Sequence, residues 1–148
     1  MDISNAGLQL IRNFEGCRLT AYQDVVGNWT IGVGHVGPEV GAGLVWTQEQ
    51  ANDTLRVDVQ KAADAVNKVV VVPLTQNQFN ALCSLAYNIG CEAFTRSTLV
   101  RLLNTGDVSS ASLEFIKWDE AEHRIIPDLL RRRQAETALF NTPDGNNG

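Results

Sequence analysis

No run of apolar residues in this chain approaches the roughly 18–20 needed to cross a bilayer, so stable membrane insertion is not expected. The N-terminus, MDISNAGLQL, lacks a basic region, an apolar stretch and a small-residue cleavage site. No Sec signal is therefore expected, and the chain should accumulate in a cytoplasm. Cysteine is scarce, with three residues at positions 17, 83 and 91. An odd, scattered set makes neither a disulfide framework nor a metal knuckle. The expectation is three reduced and largely buried thiols, a Cys83–Cys91 bridge having nothing to support it. Two isolated histidines, His35 and His123, are too few for a metal site. Positive charge is also in deficit: 12 Lys and Arg against 17 Asp and Glu leave a net charge of −5. That argues against nucleic acid as the main partner, which usually needs a basic face.

What is present suits one globular domain of 148 residues, 44% apolar and 20% charged. Ile3, Leu8, Ile11 and Phe14 fall on one face of a helix over 3–14, with Asp2 or Ser4 as its cap and Gly16 as its stop. The stretch from 17 to 37 mixes β-branched and aromatic residues with glycines, and its Gly27-Asn28 pair between strand-like runs predicts a hairpin. Two long helices follow, each with a Thr-x-x-Gln capping box: Thr47/Gln50, then Thr75/Gln78 beyond the break at Pro73. The second is so apolar that it belongs at the centre of the core. Two short helices are expected in STLVRLLNTGD and VSSASLEFIKWDEA, and a last one begins at Pro127. The segment NTPDGNNG reads as a frayed tail. The outline is α+β.

Glu15, Asp24 and Thr30 are the candidates for chemistry. A carboxylate at a helix C-terminus faces the negative end of the macrodipole, beside Phe14, and both influences oppose ionisation. A proton held near neutral pH is what a general acid needs. Asp24, at the start of a polar turn, is expected to stay ionised, with the Thr30 hydroxyl holding a water beside it. Two carboxylates in contrasting surroundings are the minimum equipment for glycoside hydrolysis. By spacing alone the pair carries little, since acids nine residues apart are common.

The pattern Glu15-x8-Asp24-x5-Thr30 resembles the catalytic signature of phage-type lysozymes, the endolysins of glycoside hydrolase family 24. FEGCRLTAYQDVVGNWTIGVGH, VPLTQNQFNALCSLAYNIG, FTRSTLVRLLNTGD and LLRRRQAETALF resemble further segments of that family, in its order, over about residues 7–141. The resemblance implies a lysozyme-like fold. A small β-ribbon lobe over 15–46 and a helical lobe from 1–14 and 74–141 would be joined by a helix over 47–72, with 142–148 as a flexible tail.

It also implies hydrolysis of the β-1,4 bond after N-acetylmuramic acid in peptidoglycan. Glu15 would be the acid, with Asp24 and Thr30 positioning water or Asp24 acting more directly. No metal or organic cofactor is implied. The protein would be a monomer, held in the host cytoplasm until a holin opens the membrane and gives it access to the periplasm and cell wall. The alternatives are a lytic transglycosylase, which needs one acid and forms anhydro products, and a non-catalytic peptidoglycan-binding module, which would have lost the acid.

Further candidates carry less. Arg132, within the basic run Arg131-Arg132-Arg133, is a candidate contact to the anionic cell-wall substrate and is also expected to pair with Glu15, as a cleft arginine does in some relatives. Asn88 and Thr98 occupy positions that line the family's cleft. Trp29 is the tryptophan best placed to stack on a sugar ring, although large aromatics more often serve the core. His35 is expected to be hydrogen-bonded within the small lobe. Residues 121–130, AEHRIIPDLL, depart from the family's glycine-rich segment: Pro127 is kept, but Glu122, His123 and Asp128 replace glycines.

Overall fold

The computed structural model describes residues 1–121 and 124–145, and its first helix, α1 (Asn5–Glu15), ends on the first candidate acid. Ser4 occupies the N-cap position but its hydroxyl does not cap the helix. Instead Ser4 N–H donates to Asn80 Oδ1 at 3.1 Å, and Asn80 Nδ2 donates to Ser4 Oγ at 2.7 Å. The start of α1 is thus tied to a fully buried side chain 76 residues away. Gly16, at φ 67°, turns the chain out of the helix.

A three-stranded antiparallel sheet follows: β1 (Arg18–Gln23), β2 (Trp29–Gly32) and β3 (His35–Val36), in that order. The register of β1 on β2 shifts between Arg18 and Tyr22. Within that bulge β1 turns to a second partner. Ala21 N–H donates to Leu44 O, Trp46 N–H donates to Leu19 O, and Thr20 bridges Val45. The expected hairpin forms, but not with Val25 and Val26 in a strand. β1 stops at Gln23, and the two valines sit exposed in the turn. The cause is Asp24, whose Oδ1 accepts from Val26 N–H at 3.0 Å and Asn28 N–H at 2.8 Å. That side-chain turn overrides the β-propensity of two valines.

Both capping boxes form, opening α2 (Gln48–Val69) and α3 (Gln76–Ile89). Every residue of α3 from Phe79 to Ala86 is buried. Around it pack the C-terminal half of α2 and α4 (Cys91–Thr95), α5 (Thr98–Asn104), α6 (Val108–Ser112) and α7 (Pro127–Phe140). Ser97 and Asp107 cap α5 and α6 with their side chains, as their positions predict. A smaller cluster of Ile11, Val33, Leu55 and Val59 joins α1 and the ribbon to α2.

Three expectations differ from the structure. The helix read over 108–121 ends at Ser112. A 3₁₀ turn over Phe115–Trp118 follows, then β4 (Glu120–Ala121) paired with β5 (Arg124–Ile125). The chain reverses here, and Ile126 N–H closes on Asp119 O at 2.9 Å just before α7. The tail is docked as far as Asp144, which accepts from Gln76 N–H and Asn77 N–H at 2.8 and 2.9 Å, so the carboxylate sits on the positive end of α3. Of the three free cysteines only Cys83 is fully buried, its thiol pushed up to about 12 by burial; Cys17 is exposed and Cys91 half-buried. Glu122 and His123, central to the altered segment, lie outside the described residues.

Candidate active site

The Glu15 side chain is 19% exposed and is fixed on two sides. Arg132 Nη1 donates to Glu15 Oε2 at 2.8 Å, so the pairing expected from the resemblance is present. Against Oε1 lies Gly34, where a Cβ would come within 2.6 Å of that oxygen. Gly34 also has φ 73°, so both its backbone and its missing side chain admit the carboxylate. Tyr87, at the end of α3, supports this turn from below: its hydroxyl donates to Val33 O at 2.5 Å. Burial raises the Tyr87 phenol well above its ordinary value, and the charges of Glu15 and Asp58 add to the effect.

Asp24 and Thr30 stand at the far end of the ribbon. Asp24 is half-buried, and its turn uses Oδ1 alone. Thr30 is buried and pairs across the sheet with Tyr22. Its hydroxyl proton goes to Asn28 O at 3.0 Å rather than toward Asp24, leaving the oxygen lone pairs as acceptors. Tyr22 links the two acids electrostatically. Burial raises its phenol, the Glu15 charge adds to this, the Arg18 guanidinium 4.2 Å above the ring opposes it, and Asp24 adds again. Both carboxylates thus act on the Tyr22 ring.

Beside Gly34 a cavity of about 210 Å³ is lined by His35, Asp58, Lys61, Tyr87, Gly90 and Cys91 among others. His35 closes it. Its Nδ1 lies 2.6 Å from Asp58 Oδ2 on α2 and its Nε2 2.6 Å from Glu39 Oε1, while Trp46 packs on the ring with centroids 5.5 Å apart. Burial alone would lower the imidazole pKa, but the hydrogen bonds and charges of Glu39 and Asp58 outweigh it, and the pKa is raised. The expected hydrogen-bonded His35 is present, with one partner on the long helix as well as one near the ribbon.

The remaining candidates are dispersed. Trp29 is half-buried and lines a different hollow with Gly27, Asn28, Val36, Pro38 and Val40. Asn88 is half-buried in the last turn of α3, and Thr98 is exposed at the start of α5. Arg131 is exposed and pairs with Asp128, whereas Arg132 and Arg133 are buried. Arg132 is directed inward, and all three of its nitrogens are engaged by Glu15, Glu136 and Ser84. Sequence reasoning missed Gly34, Tyr22, Ser84 and Glu136. Gly34 had a signal, a glycine directly before the ribbon histidine. Tyr22 is near Asp24 and Thr30 in the chain and Glu136 is one helical turn from Arg132, but Ser84 meets the site only through contacts distant in the chain.

Residues 12–136 match the family model described as Phage lysozyme. The chain is 50% identical over 146 residues to the endolysin of Acyrthosiphon pisum secondary endosymbiont phage 1, covering 96% of this chain and 99% of that one. Among solved structures, the muramidase domain of SpmX from Asticaccaulis excentricus aligns with a TM-score of 0.87 at 43% identity, over 96% of this chain and 99% of that one. A P22 lysozyme mutant aligns at 0.80 and 41% identity with the same coverage.

Proposed function

The chain belongs to the phage lysozyme family and is a peptidoglycan-hydrolysing endolysin, and from that premise we propose that Glu15 is its acid and that Asp24 and Thr30 direct the attacking water. The observation that carries this reading is the seating of Glu15. The carboxylate is held by Arg132 through Oε2 and given room by Gly34 at Oε1, while Asp24 and Thr30 stand at the other end of the ribbon.

The substrate bond is the β-1,4 link between N-acetylmuramic acid and N-acetylglucosamine. Glu15 protonates the glycosidic oxygen as the bond breaks. Positive charge grows at the anomeric carbon, and the Asp24 carboxylate stabilises it. A water held between Asp24 and the Thr30 lone pairs adds to that carbon and gives up its proton to the Asp24 carboxylate. Direct addition of water from the face opposite Glu15 inverts the anomeric centre. Proton NMR of fresh product should therefore show the inverted anomer first. A retained product would mean that Asp24 attacks the sugar itself. Mass spectrometry should find reducing ends on the released muropeptides, and anhydro ends would place the reaction with the lytic transglycosylases.

Trp29, Asn88 and Thr98 are proposed sugar contacts, whereas Arg132 serves the acid instead. Access to the wall is proposed to depend on a separate membrane-opening factor such as a holin. No helix among the described residues is long and apolar enough to cross a membrane. Cells expressing the protein without such a factor should stay intact until permeabilised, and spontaneous lysis would contradict this.

A further inference from the structure

Arg132 is 3% exposed, and each nitrogen of its guanidinium has a different job. Nη1 holds Glu15 at 2.8 Å. Nε donates to Glu136 Oε2 at 3.2 Å. Nη2 donates to the Ser84 carbonyl at 3.1 Å and to Ser84 Oγ at 3.3 Å. Ser84 Oγ can accept that bond because its own proton goes to Glu136 Oε2 at 2.5 Å. A guanidinium is a rigid planar fork, so two anchored nitrogens dictate where the third points.

Glu136 is fully buried and out of reach of a glycan. It also meets Arg133, whose Nη2 donates to Oε2 at 3.1 Å. Arg133 Nε lies 2.7 Å from Oε1 without hydrogen-bond alignment. Two arginines and a glutamate buried together are a poor way to gain stability, because desolvation offsets most of the attraction. Such a cluster makes better sense as a device that fixes geometry.

We propose that Glu136 and Ser84 are positioning residues for the reaction: they orient Arg132 and share its charge, so that Glu15 is presented in one rotamer and faces only part of a cation. This rests on the reading of Glu15 as the acid. The cluster gathers α1, α3 and α7 at one guanidinium, with Ser84 lying 52 residues from Glu136 in the chain. The charged and titratable groups that act on Glu15 are Tyr22 from β1, Tyr87 from α3, and Arg132 and Arg133 from α7. Removing the Glu136 charge leaves Arg132 held at Nη2 alone on its far side, so its guanidinium is free to turn away from Glu15.

The test uses the purified full chain with Glu136→Gln, Ser84→Ala and Glu15→Gln, read by kcat and KM of peptidoglycan clearing. Glu136→Gln should lower kcat about tenfold with little change in KM, as expected of a misoriented group. Ser84→Ala should lower kcat the same way by less, and Glu136→Asp, which restores the charge, should recover it. If Glu136→Gln does not fold, Ser84→Ala decides: a folded Ser84→Ala with wild-type kcat overturns the positioning role. Loss of stability in both variants, with kcat unchanged below their melting range, also overturns it. A Glu15→Gln variant that clears as fast as wild type would instead remove the acid reading itself.

Discussion

The seating of Glu15, the proposed acid, depends on the side chain that Gly34 lacks. Gly34→Ala would set a methyl 2.6 Å from Glu15 Oε1 at a backbone φ of 73°. The left-handed conformation costs roughly 1–2 kcal/mol with any Cβ, and displacing the acid should cut activity at least about tenfold. Thermal melts and clearing assays read the two effects separately; wild-type activity in Gly34→Ala would show that the contact is slack. On the proposed mechanism Asp24 has two separable jobs, since Oδ1 builds the turn while the charge would serve the reaction. Asp24→Asn keeps a carbonyl acceptor, so it should fold normally and lose activity. Asp24→Ala should lose the turn as well, seen as faster hydrogen exchange at Val26 and Asn28. The two acids and Thr30 could be proposed because they lie within one short motif that resembles the family's signature, their spacing alone carrying little. The hold on Glu15 was less so: Arg132 is 117 residues distant, and only the resemblance pointed to it. Glu136 stands four residues beyond Arg132 in the segment LLRRRQAETALF, but nothing local tied either to Glu15, and Ser84 left no local signal at all.

Among the elements, legibility follows how local the deciding interaction is. The boxes at Thr47 and Thr75 could be read because donor and acceptor lie three residues apart. Thr75→Ala should cost about 1 kcal/mol in a denaturant melt, and no loss would mean that Asp144 caps α3 well enough alone. The ribbon was harder. Val25 and Val26 look like strand, yet the Asp24 turn claims them, and the pairing of 19–21 with 44–46 joins segments with no periodic pattern. His35 clamps this ribbon to α2, and its raised pKa gives the clamp a pH dependence. The folded protein binds the imidazole proton more tightly than the unfolded chain does. The contribution is therefore complete below the ordinary histidine value of about 6.5 and is lost as pH rises through the raised folded value. The stability gap between wild type and His35→Asn should shrink on going from pH 6 to alkaline solution. A gap that widens with pH would contradict the assignment.

On the scale of the whole molecule, α3 is the common support, with one end under Tyr87 and the ribbon turn and its middle presenting Ser84 to the charged cluster. Breaking that cluster should be expensive: Glu136→Gln takes the counter-charge from buried Arg133 and leaves Arg132 with Glu15 alone, a loss of about 3–5 kcal/mol. The α+β class was legible from composition and periodicity, but the meeting of α1, α3 and α7 at one guanidinium needed the fold. The net charge of −5 sets a further expectation against an anionic wall. Added salt screens like-charge repulsion, so clearing should speed up from low to moderate ionic strength, and a steady fall would contradict it. Everything in the functional reading converges on Glu15. Its most direct test is the rate at which wild type and Glu15→Gln clear permeabilised Gram-negative cells, after matched melting curves establish that both are folded. Loss of at least about a hundredfold is the expected result, since general acid catalysis contributes on that scale. Equal clearing by the two proteins would contradict it.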